Sequence, residues 1–318
     1  MKALFFDGKN LQLRTDLPAP SPSEGEVLIK VITAGVCKTD LEILKGYMGF
    51  RGIIGHEFVG VVEHGPKQWL ARRVTAEINN PCHVCPTCKA GRGKHCPHRS
   101  VMGIDGHDGA MAQYVTAPAE NLVAIPDDVP NDSAVFIEPL AAAFEPTTRM
   151  KINRSDRVAV FGDGRLGLLS AMVFNSLCDE VLLVGKHDEK LAIARGQGIK
   201  TVLAQNFSPD KSWDVTVEAT GSPAGFDAAI AATRPAGTII LKSTFVAESG
   251  MNMAMVVVNE ITIMGSRCGP FDAALRALRE KRFDVTPLIT ARFSLDDGLA
   301  AMAAATSGNN IKVLIDVD

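Results

Sequence analysis

The sequence predicts a two-part α/β protein, with a β-rich first part and a doubly wound second part built on a six-stranded parallel sheet. Three observations predict it. Short, often alternating apolar segments fill the first third of the chain. From about residue 156, short apolar runs alternate with Ala-rich helical stretches. One of those runs passes directly into a glycine-spaced turn that opens a helix.

In the first part, "KALFF", "LQLR", "EVLIKVIT", "EFVGVVE" and "AMAQYV" read as strands, separated by Gly, Pro, Ser and Asp as in "LPAPSPSEG". In the second part the strands are "VAVF" (158–161), "VLLV" (181–184), "TVL" (201–203), "VTV" (215–217), "TIIL" (238–241) and "ITIM" (261–264). Continuous apolar runs suit a parallel sheet covered on both faces. The end is mixed. "DAALRALREKRF" reads as a helix, Ser294 and Asp297 form a capping-box-like start, and "IKVLIDV" reads as a last strand.

At 318 residues the chain has room for two domains. A net charge of −3 argues against a dedicated nucleic-acid binder. "MKALFFDGKN" is too short for a signal-peptide core, and no apolar run approaches the ~18 residues of a membrane span. A cytoplasmic protein without membrane contact is expected, and its clustered cysteines point to metal before disulfides.

In "VAVFGDGRLGLLSA", Gly162, Gly164 and Gly167 stand in G-x-G-x-x-G spacing after a strand and at the start of a helix. The first glycine permits a tight turn, the second lets the backbone approach a pyrophosphate, and the third allows close helix packing. Arg165 and Leu166 complete the candidate cofactor loop. The next strand ends in "VLLVGKHDEK". Where an NAD-preferring domain places a carboxylate, this chain has Gly185, followed by Lys186 and His187. A carboxylate repels a 2′-phosphate, whereas Gly leaves room and Lys supplies charge, so NADP is favoured. The alternative keeps NAD, with Asp188 or Glu189 reaching the ribose.

"NNPCHVCPTCKAGRGKHC" holds Cys82, Cys85, Cys88 and Cys96, spaced C-x2-C-x2-C-x7-C. Four thiolates fill a tetrahedral shell and leave no open position, which marks a structural zinc rather than a working one. His95 and His98 lie close by, but four cysteines suffice. A second candidate set is sparser: Cys37 in "AGVCKTD", His56 in "IIGHEFVG" and Glu138 in "IEPLAAA". Cys, His and carboxylate with one position left for water form a catalytic type of zinc site. Spacing alone does not separate that reading from a structural histidine.

The ordered segments "GVCKTD", "GHEFVG", the four-cysteine stretch, "DGAMAQYV", "IEPLAAA", "VFGDGRLG", "VEATGSP" and "ITIMGSR" resemble the medium-chain, zinc-dependent alcohol dehydrogenases, the group that includes sorbitol and threonine dehydrogenases. The resemblance spans nearly the whole chain. It implies a GroES-like catalytic domain (1–139 and 268–318, zinc lobe 79–97) and a Rossmann dinucleotide domain (140–267).

It further implies that Cys37 and His56 ligate a catalytic zinc. Glu138 stands as third ligand or water-holding carboxylate, and Glu57 as ligand or exchanging ligand. Asp40 orients the zinc-bound histidine, and Thr39 contacts substrate oxygen and proton relay. Lys38 and Lys312 meet the cofactor pyrophosphate. The implied reaction is reversible hydride transfer between an alcohol or carbonyl substrate and the nicotinamide, with zinc as Lewis acid. A homodimer or homotetramer through the "ITIMGSR" region is also implied.

Two departures bear on the substrate. Glu42 stands where many relatives place a relay histidine, and the loop "EHGPKQWLARRV" is short. Tyr47, Met48 and Phe50, between two candidate ligands, are expected to line a cleft. Cys178 and Cys268 take no role. A zinc-containing nucleic-acid binder and a noncatalytic cofactor binder are the competing classes. The acidic balance with the complete dinucleotide domain speaks against the first, and the intact Cys37, His56 and Glu138 against the second.

Overall fold

The computed structural model describes residues 1–244 and 253–317. It forms two compact units, Met1–Glu138 with Leu288–Asp318, and Pro139–Pro287.

The first unit contains β1 (Ala3–Phe6), β2 (Leu11–Arg14), β3 (Glu26–Gly35), β4 (Gly52–Ile53), β5 (Glu57–His64), β6 (Arg73–Ala76), β7 (Asn79–Asn80), β8 (Ser100–Met102), β9 (Gly106–His107), β10 (Tyr114–Pro118) and β11 (Leu122–Ala124). The second unit carries β12 (Arg157–Phe161), β13 (Glu180–Gly185), β14 (Lys200–Leu203), β15 (Trp213–Glu218), β16 (Thr233–Leu241) and β17 (Thr262–Gly265). The chain then returns to the first unit with β18 (Ile289–Ser294) and β19 (Lys312–Asp316).

The main sheet of the first unit runs β11-β6-β5-β3-β19-β18, and β10 also pairs with β3. β3 organises it. Its alternation buries Val27, Ile29 and Val31 while Lys30 points to solvent, the period of a half-buried strand. Pairing sets Gly35 opposite Glu57 on β5 and opposite Leu314 on β19. This register gathers the ends of three strands at one point. A Cβ on Gly35 would meet the Lys312 ammonium and the Glu57 carboxylate, so a side chain there would have to displace that pair. The "AMAQYV" run becomes a strand only from Tyr114. Residues before it bridge to neighbouring backbone, with Met111 accepting from the Leu4 N–H and donating to Ile54.

In the second unit the sheet order is β14-β13-β12-β15-β16-β17, all parallel. Helices Arg165–Asn175, Asp188–Gly196 and Pro223–Ala232 provide crossovers. The order reverses between β12 and β15, which places the ligand-binding crevice at the carboxyl ends of those strands. Phe161, Trp213, Phe226 and Ile239 belong to one buried cluster in this unit. Among the described residues, no helix is long and apolar enough to cross a membrane.

The expected return to the first domain at residue 268 needs correction, because the chain returns at Leu288. Residues 268–287 stay with the parallel sheet through packing and hydrogen bonds. Helix Phe271–Arg279 buries Phe271, Ala274, Ala277 and Leu278. The Asp284 N–H donates to Gln197 Oε1 at 3.0 Å.

Asp214 on β15 ties three strands together. Its Oδ2 accepts the Arg157 N–H at 2.8 Å, and its Oδ1 accepts Arg234 Nε–H at 2.7 Å. Burial pushes its carboxyl upward, but these donors outweigh burial and hold it below the ordinary 3.8. The stabilisation is therefore complete above the unfolded-state value and is lost as pH falls through the lower folded value. Asp214→Asn should flatten the acid limb of stability below about pH 4. Denaturant unfolding across that limb measures it, and an unchanged limb would contradict the assignment.

Candidate metal and dinucleotide sites

The first site is assembled where β3, β5 and β19 converge. After Gly35 the chain turns into a short helix, Lys38–Ile43, capped by Cys37. Asp40 sits at the third helical position, and its Oδ2 accepts the Cys37 N–H at 2.7 Å. Its Oδ1 faces His56 Nδ1 at 3.3 Å, and both side chains are buried. The ligand atoms of Cys37, His56 and Glu57 lie within 4.8 Å of one another. Thr39 Oγ1 is 3.7 Å from Cys37 Sγ.

The electrostatics of this group are unusual for a protein interior. Burial opposes protonation of His56, but Asp40 and Cys37 outweigh it and hold the imidazole well above its ordinary value. Lys312 is fully buried and ion-paired with Glu57, with its ammonium 5.6 Å from the centre of the Phe136 ring. Burial pushes that ammonium down to about 8, against the pull of Cys37 and Asp40.

A thiolate, an imidazole and a carboxylate make a donor set suited to zinc with a position left open. Asp40 occupies His56 Nδ1, which leaves Nε2 as the atom to face a metal. The residues present therefore fit a catalytic zinc.

Several expected residues are placed differently. Among the described residues, the converging group contains Glu57 and leaves Glu138 outside, in the first turn of helix Ile137–Phe144. Lys312 does not offer its charge to a pyrophosphate, because the register of β19 turns it inward onto Glu57. Lys38 is exposed. Phe50 is buried, 6% exposed, and so does not line an open cleft, whereas Tyr47 and Met48 are exposed. Glu42 faces solvent and pairs with Lys45 at 3.1 Å.

The four-cysteine stretch closes on itself. Cys85 lies 3.5 Å from Cys88 and 3.8 Å from Cys96, and Cys82 lies 3.5 Å from Cys96 and 4.0 Å from Cys88, sulfur to sulfur. A tetrahedral zinc–thiolate shell has sulfur–sulfur edges of about 3.8 Å, from Zn–S bonds of about 2.3 Å. All four are free thiols. The Cys88 N–H points at Cys85 Sγ and the His98 N–H at Cys96 Sγ, donors that favour thiolates. Burial pushes Cys88 up to about 12, while the Cys88 N–H draws Cys85 down. His95 and His98 are exposed and stand outside the group.

In the second unit the glycine loop leaves β12. Gly162 takes φ +115°, and a Cβ on Gly167 would strike the Gly162 carbonyl. Gly164 has open space around it and caps helix Arg165–Asn175, whose N-terminus suits a phosphate. Arg165 and Leu166, in the first turn, are half-buried. Gly185 is buried at the end of β13, and Lys186 and His187 are exposed.

Two buried carboxylates escaped the sequence reading. Asp163 Oδ2 accepts the Lys186 and His187 N–H groups at 2.6 and 2.7 Å. Glu218, fully buried at the end of β15, accepts the Thr220 N–H at 2.7 Å, the Gly221 N–H at 3.2 Å and the Ser243 hydroxyl. The available signals were an acidic residue inside G-x-G and one at a strand end, in "VEATGSP".

Comparison with known proteins agrees with this geometry. The model for the alcohol dehydrogenase GroES-like domain matches residues 23–127, and that for zinc-binding dehydrogenases matches 166–281. The chain is 30% identical to a sorbitol dehydrogenase from Halalkalibacterium halodurans, covering 94% of this chain and 93% of that one. The chain belongs to the medium-chain zinc-dependent alcohol dehydrogenase family.

This dehydrogenase is also 32% identical to an L-threonine 3-dehydrogenase from Streptomyces coelicolor over 99% of both chains. Its fold is shared with a zinc-binding dehydrogenase from Sinorhizobium meliloti bound to NADP (TM-score 0.92, 24% identity, 99% of both chains). A short-chain alcohol dehydrogenase from Escherichia coli complexed with NADH gives a TM-score of 0.90 at 25% identity, over 100% of this chain and 99% of that one. The protein is thus an oxidoreductase acting on CH–OH groups, of the zinc-binding, nicotinamide-dependent type.

Asp40→Asn removes the carboxylate behind His56 and should weaken metal binding at Cys37 by about 10- to 100-fold, leaving the four-thiolate site unchanged. Competition against a chromogenic chelator resolves the two sites. Equal affinities in both proteins would contradict the role of Asp40.

Proposed function

We propose that this protein is a zinc-dependent alcohol or polyol dehydrogenase that moves hydride reversibly between an alcohol or carbonyl substrate and NADP(H). The observation that carries the reading is the convergence of Cys37, His56 and Glu57 beside the buried Asp40. In this reading Cys37, His56 and Glu57 hold the catalytic zinc, and Glu138 lies beyond the direct ligands. Cys82, Cys85, Cys88 and Cys96 hold a second, structural zinc. The catalytic ion supplies Lewis acidity toward the substrate oxygen. A bound nicotinamide would supply the hydride acceptor or donor.

The chain's own groups do the rest. Asp40 keeps His56 oriented and its Nδ1 engaged. Thr39, 3.7 Å from Cys37 Sγ, is placed to pass the substrate hydroxyl proton outward. Lys312 neutralises Glu57. Gly162, Gly164 and Gly167 bring backbone donors to the pyrophosphate.

The NADP(H) choice rests on Gly185, which carries no carboxylate, and on the exposed Lys186 and His187. The structural neighbours include one bound to NADP and one complexed with NADH, so they do not decide it. The same chemistry with NAD(H) is the second reading, favoured by Asp188 and Glu189, exposed at the start of helix Asp188–Gly196. A cytoplasmic homodimer or homotetramer is part of the proposal. β17, last in the sheet order, and the exposed Val257 and Val258 support a contact there.

Initial rates with alcohols, polyols and aldehydes in both cofactors test the reading. NADP should give the higher kcat/KM, and NAD better by tenfold or more would overturn the cofactor choice. Thr39→Val should lower kcat by about a hundredfold or more with little change in metal content. Full activity in that variant would remove Thr39 from the proton path.

A further inference from the structure

The strand-end carboxylate that Gly185 lacks has a counterpart elsewhere. Asp163, the residue between Gly162 and Gly164, projects its carboxylate over the end of β13. Its Oδ2 accepts the Lys186 N–H at 2.6 Å and the His187 N–H at 2.7 Å. His187 Nδ1 lies 3.0 Å from Oδ2 and 3.2 Å from Oδ1. The Asp163 side chain is only 10% exposed, whereas that of His187 is 49% exposed. The carboxylate is thus turned inward onto backbone donors and the near edge of the His187 ring, while the Lys186 side chain stands outward.

Gly185 is the steric complement of this arrangement. A Cβ there would lie 2.6 Å from Asp163 Cβ, 2.7 Å from Asp163 Oδ2 and 2.8 Å from Leu191 Cδ2. An acidic side chain at position 185 would therefore displace Asp163 and the end of Leu191.

We propose that Asp163 is a positioning residue for the adenosine end of the cofactor. It anchors the turn that presents Lys186 and His187 to the ribose 2′ position, and with Gly185 it forms a coupled pair that sets the choice between a 2′-phosphate and a 2′-hydroxyl. The inference rests on the dehydrogenase reading above and names the residues that tune it. Charge-assisted bonds to backbone N–H groups are among the stronger ones available, so loss of this anchor is felt in the turn. The carboxylate is kept ionised by the same contacts. Burial pushes it up, but the His187 and Lys186 donors outweigh burial and hold it below 3.8.

The test is equilibrium binding of NADPH and NADH to the purified protein by cofactor fluorescence, with thermal unfolding as a control for folding. The readout is the ratio of the two dissociation constants, which general loss of stability would not move selectively. Asp163→Ala should weaken NADPH by about tenfold with a smaller effect on NADH. Asp163→Asn, which keeps an oxygen for the two N–H donors, should stay within about threefold of the native ratio.

Gly185→Asp alone should weaken both cofactors through its clash. Asp163→Gly with Gly185→Asp removes the Asp163 part of that clash, leaves only the flexible end of Leu191 to shift, supplies a strand-end carboxylate and should shift the ratio toward NADH by about tenfold or more. An unchanged ratio in Asp163→Ala, or one shifted toward NADPH, overturns the anchoring role. Gly185→Asp alone shifting the ratio as far as the double variant overturns the coupling. Tighter NADH than NADPH binding by the native protein overturns the NADP(H) reading itself, separately from both.

Discussion

Four ionisable side chains are buried where β3, β5 and β19 meet, with the half-buried Cys37 beside them, and the first unit is arranged around pairing their charges. Cys37, Asp40 and Glu57 bring negative charge, and His56 and Lys312 answer it. Charges out of water are tolerated only when paired and hydrogen-bonded. The pairing depends on strand register. A one-residue slip of β5 or β19 would carry Glu57 or Lys312 to the opposite face of the sheet. Gly35 is part of the same constraint, because any side chain there would separate the pair. The fold therefore specifies the charge cluster, and the cluster in turn penalises every other register.

The two sulfur-bearing sites divide structure from chemistry by coordination. Four mutually adjacent thiols in the Cys82–Cys96 segment would fill a tetrahedral shell and leave no open position, so bracing is the role proposed for them. The Cys37 group supplies three donors of three chemical kinds, with a hydroxyl at Thr39 close by. Its supporting contacts are internal: Asp40 caps the Cys37 helix and holds His56 with the same carboxylate. One side chain thus fixes two candidate ligands, which would narrow the geometry available to an ion bound there.

Much of this was legible in the sequence where local pattern and physical requirement coincide. Six short apolar runs with helical crossovers became the six-stranded parallel sheet, because strands buried on both faces must be apolar throughout. The four cysteines met because their spacing is local. Features that depend on contacts between distant segments were not legible. Glu57 rather than Glu138 joins Cys37 and His56 because β3 and β5 pair in one particular register. Lys312 turns inward because β19 pairs with the far side of β3. The return at Leu288 rather than residue 268 follows from hydrogen bonds such as that of Asp284 to Gln197. Asp163 stayed hidden because the glycine spacing drew attention to the residues around it.

The central claim is that chemistry belongs to the Cys37 group and bracing to the four thiols. Alcohol-dependent NADPH formation by Cys37→Ser, assayed on protein whose four-thiolate site is loaded with zinc, tests it most directly. The account predicts a folded protein that still binds NADPH, keeps about one zinc per chain and loses at least about a thousandfold in kcat. Native-level turnover in that variant would contradict the account.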